Sequence, residues 1–381
     1  MKIGITCYPS AGGSGIVATE LGMKLASRGH EVHFIASEAP FRLANYVENL
    51  YYHPVQATTY PLFKNPPYTL PLAVKMVEIS KHYDLDLLHV HYAIPHAASA
   101  YLARQILATD GKAPKIITTL HGTDITLVGV DATFYDITKF SINESDGVTA
   151  VSNYLAEETK REFKITRPIE VIYNFYDTER FSIRKDLCCK SQFAADDKFL
   201  IAHISNFRPV KRVPDVIDVF EGIHKALPAK LLLVGEGPDT TLVRRLVHRK
   251  GLDDDVIFLG TQVSVETILP CVDLFLLPSQ EESFGLAALE AMACGAPLVG
   301  SLGSGISEVT EQNVTGILHP VGDTSGMAQS AIDLLSDPDR HKRFRENSLK
   351  RAREKFTDKR IVDHYERYYQ EILAGAPVTV G

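Results

Sequence analysis

Short apolar runs alternate along the chain with segments in which apolar residues recur every three to four positions. Runs at 2–7, 31–36, 85–90, 116–120, 147–150 and 170–172 are rich in Val, Ile, Leu and Thr, and they predict buried strands. Helical spacing between them predicts helices over 15–27, 70–82, 95–108, 133–143 and 153–162. The alternation then restarts. Strands are expected at 199–204, 230–234, 256–259, 274–277 and 298–300, and helices at 213–226, 241–250, 285–294, 325–335 and 340–355. Strand–helix alternation of this kind builds a parallel sheet with helices on both faces. The expected fold class is therefore α/β, with two doubly wound, Rossmann-like parallel-sheet domains facing across a cleft. The polar stretch 174–184 breaks both periodicities and marks the boundary, so residues 1–173 form the first domain and 174–356 the second. A last amphipathic, aromatic helix over 357–373, carrying Ile361, Tyr365, Tyr368 and Tyr369, is expected to cross back onto the first domain, and the tail 374–381 to fray.

Composition narrows the function classes. A chain of 381 residues supports two domains of ordinary size. The net charge of −7 lacks the basic footprint that non-specific binding to nucleic acid or an anionic membrane requires. Five cysteines, at 7, 188, 189, 271 and 294, are odd in number and show no CxxC spacing, which fits a reduced, cytoplasmic protein. The first apolar run is too short for a signal-peptide core, and no run approaches the ~20 residues that span a bilayer. No stable membrane anchoring is expected, and the composition is compatible with a homo-oligomer.

In doubly wound sheets, ligands bind outside the carboxyl ends of the strands, so the loops after strands are where chemistry is sought. After the first strand comes Gly12-Gly13-Ser14-Gly15. Glycines let backbone approach a ligand and a helix N-terminus favours an anion, so Gly13, Ser14 and Gly15 are donor-binding candidates, although the spacing is not GxGxxG. His89-Val90-His91-Tyr92 with His96 ends another strand. His89 and His91 share a strand face, but no further ligand stands at metal spacing. One buried histidine and one at the rim are expected, with Tyr92 and His96 as the better cleft candidates. His121, in Thr118-Thr119-Leu120-His121-Gly122-Thr123-Asp124, sits at a strand end where an imidazole can hold a sugar hydroxyl or polarise a reacting group.

The second domain carries the sharper signals. Ser205-Asn206-Phe207-Arg208-Pro209-Val210-Lys211-Arg212 gathers three cations at a strand end of an acidic protein, the pattern of a phosphate seat. The segment Glu281-Glu282-Ser283-Phe284-Gly285-Leu286, continuing to Glu290, opens a helix after a very apolar strand. Free N–H groups at Phe284, Gly285 and Leu286 suit a pyrophosphate, and Glu282 and Glu290 flank them where a sugar nucleotide has hydroxyls at both ends. Glu290 stands among Ala, Leu and Met, and burying a carboxylate there requires a compensating partner. Asp253-Asp254-Asp255 lies at the wrong end of its strand to hold a metal on a diphosphate. No metal or other cofactor is therefore expected.

The basic loop ending in Lys211 and the E-x7-E spacing from Glu282 to Glu290 together resemble the retaining GT-B glycosyltransferases of family 4, over essentially the whole chain. The Gly-rich loop and His121 also fall where that family has them. Within the family, the segments ITCYPSAGGSG, PFRL, NPPY, HVHYAIPHA, TTLHGTDIT, HISNFRPVKR and EESFGL are similar to the members that glycosylate L-malate in bacillithiol biosynthesis. That resemblance implies UDP-N-acetylglucosamine as donor, L-malate as acceptor, retention at the anomeric carbon and a cytoplasmic enzyme without a metal. It places Lys211 on the donor phosphate, Glu282 on the hexose and Glu290 on the ribose, with His121 holding the hexose. Asn206 stands where many relatives carry an arginine, and whether Arg208 takes over that role stays open. Backbone at Leu259 is expected beside the uracil. A dicarboxylate acceptor calls for cations and hydroxyls in the first domain: Lys139 first, then Ser14, Tyr92, Thr123, Asn153 and Arg42. Three alternatives stand beside this reading: another nucleotide sugar or a glycan acceptor, a GT-B epimerase acting on UDP-N-acetylglucosamine alone, and a two-lobed binding protein.

Overall fold

The computed structural model describes residues 1–9, 12–43, 46–56, 67–109, 111–183, 190–195 and 197–375. Arg184, Cys188, Cys189, the first two residues of NPPY and the end of the tail lie outside the described residues. The chain divides into one unit of Met1–Asn174 with Lys359–Gly381, and a second of Phe175–Asp358.

The first unit runs β1 (Lys2–Thr6), α1 (Gly13–Ser27), β2 (Glu31–Ala36), β3 (Leu50–Pro54), α2 (Thr69–Tyr83), β4 (Leu87–His91), α3 (Ala98–Ala108), β5 (Lys115–Leu120), α4 (Tyr135–Glu144), β6 (Gly147–Ala150), α5 (Asn153–Phe163) and β7 (Glu170–Val171). Its strands form one parallel sheet in the order β3-β2-β1-β4-β5-β6-β7. The second unit runs α6 (Lys190–Phe193), β8 (Phe199–Ile204), α7 (Val213–Ala226), β9 (Ala229–Val234), α8 (Thr240–Arg249), β10 (Val256–Gly260), β11 (Leu274–Leu277), α9 (Leu286–Ala293), β12 (Leu298–Ser301), α10 (Ile306–Val309), β13 (Gly316–His319), α11 (Thr324–Leu335) and α12 (Pro338–Lys355). Its sheet is also parallel, in the order β10-β9-β8-β11-β12-β13. Strand order reverses between β1 and β4 in one sheet and between β8 and β11 in the other. Those reversals splay the loops apart and leave a crevice at the strand ends.

The central strands are buried on both faces, as sheets covered by helices require. The closing helix α13 (Asp358–Leu373) carries most of its residues back to the first unit. Tyr365 and Tyr369 are sealed there, Tyr368 donates its hydroxyl to the Val148 carbonyl at 3.3 Å, and Arg28 pairs with Asp363 and Glu366 at 2.6 Å. Among the described residues no helix is long and apolar enough to cross a membrane.

Three features depart from the pattern reading. β3 was not expected: it is an edge strand, half exposed and ending in Pro54, so its five residues show no apolar run. β13 was missed for a related reason, being four residues that open on a glycine. The strand expected at 85–90 is shifted to Leu87–His91, which draws His91 into the sheet.

Candidate active site

In the second unit, the loops after β8 and β11 meet at the strand-order reversal. The loop after β8 ends in a tight turn, Pro209–Lys211, closed by Arg212 in a left-handed conformation. Pro209 fixes φ and supplies the turn's first residue. The two loops are tied by the Gln280 N–H, which donates to the Val210 carbonyl at 2.8 Å. This brings Lys211 Nζ within 2.7 Å of Glu282 Oε1. The same carboxylate oxygen accepts from the Ser279 hydroxyl at 2.8 Å, and the Glu282 N–H donates to Ser304 Oγ at 3.0 Å. Glu282 is therefore nearly buried yet bonded at backbone and side chain, while Lys211 stays partly open to solvent.

His203 lies beneath the basic loop, fully buried. Its Nδ1 donates to the Leu276 carbonyl at 2.9 Å, which leaves Nε2 to accept from the Ser205 hydroxyl at 2.7 Å. Burial pushes its pKa down to about 4, so it braces the loop without adding charge. Asn206 is half-buried, with no partner for Oδ1 among the described residues, whereas Arg208 is exposed. A Cβ at Gly237 would stand 2.0 Å from the Asn206 carbonyl, so the loop after β9 must carry glycine there to pass this close.

Helix α9 opens at Leu286 on Gly285, whose φ of 95° is left-handed. A Cβ there would also meet Ile306 Cδ1 at 2.6 Å. Gly285→Ala is expected to cost about 1–3 kcal/mol and to tilt the first turn of α9, read as a lower Tm. An unchanged Tm would show that the turn tolerates a side chain. The Phe284 ring is buried and packs on Phe356, the ring centroids 5.7 Å apart. Glu290 is 4% exposed on α9. The Leu259 carbonyl, expected beside a base, accepts from Gln262 Nε2 at 2.6 Å. Asp255 pairs with Lys230 at 3.1 Å and Lys198 at 3.5 Å, a charged turn at the far end of β10.

In the first unit the loops after β1, β4 and β5 converge. The phenol of Tyr92, just past β4, lies near the side chains of Ser14 at the start of α1 and Thr123 after β5. Burial, then the Asp124 charge, holds its pKa up at about 12, so it stays a neutral hydroxyl. Ser14, Tyr92 and Thr123 thus form one cluster. Gly13 has open space where a Cβ would stand, and the Gly15 carbonyl accepts from Thr19 at 2.7 Å. His121 is partly exposed beside this cluster, its ring 5.4 Å from that of Tyr92. Burial and nearby His96 lower its pKa to about 3.

Lys139 does not join this cluster by any hydrogen bond among the described residues. Lys139 is half-buried on α4, which packs against the helical turn Ala93–Ala97. Asn153 donates to the Tyr173 hydroxyl at 2.9 Å.

Two expectations are corrected. His89 and His91 are both fully buried, because the shifted β4 carries them into the sheet, and the histidine at the rim is His121. His96, expected in the cleft, is buried as well: the turn after β4 folds it under, its Nδ1 on the His91 carbonyl. Arg42 is only 4% exposed at its side chain and lies 3.3 Å from Glu20 of α1.

Asp124, which closes the segment that contains His121, has a part of its own. Its carboxylate accepts from the N–H groups of Ala93 at 2.9 Å, His121 at 3.2 Å and Gly122 at 3.1 Å. It thereby fastens the loop after β4 to the loop after β5, and burial raises its pKa to about 6. The Gly-Thr-Asp following His121 was the only sequence signal of it. Ser279 had a comparable one in its position three residues before Glu282. Ser304 and His203 had none, since both act through contacts between distant segments.

Residues 11–180 match the family described as Glycosyltransferase Family 4, and residues 189–351 match glycosyl transferases group 1. The chain is 48% identical to the N-acetyl-alpha-D-glucosaminyl L-malate synthase of Bacillus anthracis over 98% of its length and 97% of the relative's. Among solved structures it resembles the sucrose-phosphate synthase of Thermosynechococcus elongatus, with a TM-score of 0.81, 23% identity, and 99% of this chain and 100% of that one covered. It also resembles Anabaena HepE in complex with UDP-glucose, with a TM-score of 0.80, 20% identity, and 98% and 100% covered.

Proposed function

The chain belongs to glycosyltransferase family 4 and has the GT-B fold, and from that premise we propose that it transfers N-acetylglucosamine from UDP-N-acetylglucosamine to the hydroxyl of L-malate. The donor and acceptor follow from the near full-length relative of that name and from the sequence resemblance, which also implies retention, a place at the first step of bacillithiol biosynthesis and a cytoplasmic setting. The observation that carries the reading is the 2.7 Å pair of Lys211 and Glu282 beside the glycine-opened start of α9.

Departure of UDP develops negative charge on the β-phosphate. Lys211 and the N–H groups of Phe284, Gly285 and Leu286 meet that charge, and they act most strongly in the transition state, where it is largest. Glu282 holds Lys211 before the donor arrives and takes sugar hydroxyls afterwards, while Glu290 takes the ribose. Asn206 offers an amide and not the family's cation, so it contributes a hydrogen bond without charge. A histidine with a pKa near 3 is too weak a base at neutral pH to deprotonate an alcohol. His121 therefore holds the hexose, and the acceptor hydroxyl attacks from the face UDP leaves, giving its proton to the departing phosphate.

The Ser14, Tyr92 and Thr123 hydroxyls receive the acceptor, with Lys139 as the cation for a malate carboxylate and Asn153 farther out. Lys139→Ala is expected to raise the malate KM at least tenfold and the donor KM little, since losing a charge-assisted hydrogen bond costs about 1.5–3 kcal/mol. Equal changes in both constants would remove Lys139 from the acceptor site.

The test is UDP release from UDP-N-acetylglucosamine with and without L-malate, across a panel of hydroxy acids, in EDTA. Release that needs malate and persists in EDTA supports the reading. Donor turnover without any acceptor would make the protein an epimerase, and malate-independent transfer to a glycan would replace the acceptor.

A further inference from the structure

Two buried hydrogen-bonded sets stand side by side in the first sheet, between the closing helix and His121, and their directions can be assigned from which atoms hold protons. The first begins at Tyr369 of α13, whose hydroxyl lies 2.7 Å from His89 Nδ1. That phenol is buried, stays protonated and has no other acceptor among the described residues, so its O–H donates and Nδ1 accepts. The His89 proton is then on Nε2, which donates to Thr119 Oγ1 at 2.7 Å. His89 and Thr119 stand on the adjacent strands β4 and β5, as do Val90 and Thr118 between them.

Two residues farther along both strands the same spacing recurs. His91 Nδ1 lies 2.8 Å from His121 Nε2, with the rings stacked 5.0 Å apart and the His89 ring 4.5 Å behind His91. Both imidazoles are neutral, so one nitrogen of the pair donates and the other accepts. His91 Nε2 is sealed from solvent and has no partner among the described residues. An orphaned N–H in that position costs more than an orphaned acceptor. The proton of His91 therefore belongs on Nδ1, where it donates to His121 Nε2.

We propose that His91 is a positioning residue that holds His121 as its Nδ1–H tautomer, so that His121 presents a fixed N–H donor to an oxygen of the bound hexose. The inference rests on the hexose-holding role given to His121 above, but the tautomer is a property of the ligand-free protein. A histidine free to exchange tautomers would present a donor only part of the time and would bind an alcohol oxygen in either sense. The buried rung behind it, closed by Tyr369, keeps the His91 ring from turning. Tyr369, near the end of the chain, thus orients the His89 ring against which His91 packs.

The test is nitrogen-15 NMR of histidine-labelled, ligand-free enzyme, with kinetics of two variants. His121 is expected to show a protonated Nδ1 and an accepting Nε2. In His91→Phe, which keeps the ring shape and removes the donor, His121 should populate both tautomers. kcat should fall about tenfold, the scale of one hydrogen bond, while the affinity for UDP is unchanged. His91→Asn places an amide N–H near the lost Nδ1 and should restore the tautomer and most of kcat. A wild-type His121 protonated on Nε2 would overturn the proposal, even if His91→Phe did not fold. So would a His91→Phe protein whose His121 spectrum matches wild type. A correct tautomer in a protein that does not turn over UDP-N-acetylglucosamine would instead count against the proposed function.

Discussion

Lys211→Ala is expected to lower kcat about 10²–10³-fold, the loss found when one preorganised donor to a developing anion is removed. The side chain stands 2.7 Å from Glu282 and is partly open to solvent, so it is held in place yet free to turn to a phosphate. The fold should survive, because Glu282 keeps its bond from Ser279 and its backbone bond to Ser304. UDP binding by calorimetry should weaken together with turnover, while the circular dichroism spectrum stays that of the parent. Glu282→Ala separates the two roles: Lys211 then loses its ground-state partner, so UDP alone should bind at least as well while transfer still collapses. Near parental rates in either variant would move the reaction away from the ends of β8 and β11.

Acidification is expected to unfold the first unit well before ordinary carboxylate protonation would. His89, His91, His96 and His121 have pKa values far below the ordinary histidine value of 6.5, reaching about 3 for His89 and His121 and about 4 for His96. The first cause in each is burial. The folded pKa is depressed, so the stability these groups contribute is present above pH 6.5 and is lost as pH falls toward 3–4. The unfolded chain binds the protons and the folded one does not. At pH 5.5 each histidine costs about 1.4 kcal/mol, which makes roughly 6 kcal/mol for the four. Asp124, raised to about 6, works in the opposite direction. It takes up a proton more readily folded than unfolded and returns somewhat under 1 kcal/mol at that pH. The net loss is a large part of the 5–15 kcal/mol typical of a domain. Thermal unfolding at pH 7.5 and 5.5 should show Tm falling by about 10 °C or more for the transition assigned to the first unit. Equal Tm values would mean that water or relaxation reaches these rings.

How far the sequence carried the reading depends on the kind of information each feature needs. The α7 helix, Val213–Ala226, was legible to the residue because one apolar stripe and a proline near its start mark both face and boundary. The alternation of strands and helices, the basic loop and the glycine before α9 were equally local. β3 and β13 were not legible, since an edge strand is recognised by its neighbour and not by its own apolar content. The histidines show the same division. Their positions at strand ends could be read, but a shift of β4 by one or two residues decided which were sealed and which stayed partly exposed.

By itself, then, the order of residues determined the elements, their parallel arrangement and the chemical types gathered at the strand ends, because periodicity, turn preference and charge are local properties of the chain. Only the tertiary structure decided that Lys211 meets Glu282 across 71 positions, that Asp124 joins two loops, and that Tyr369 closes a rung behind His91. Such pairings depend on strand register and on where a distant helix returns. Burial, which sets the protonation states the chemistry uses, exists only once those segments have packed.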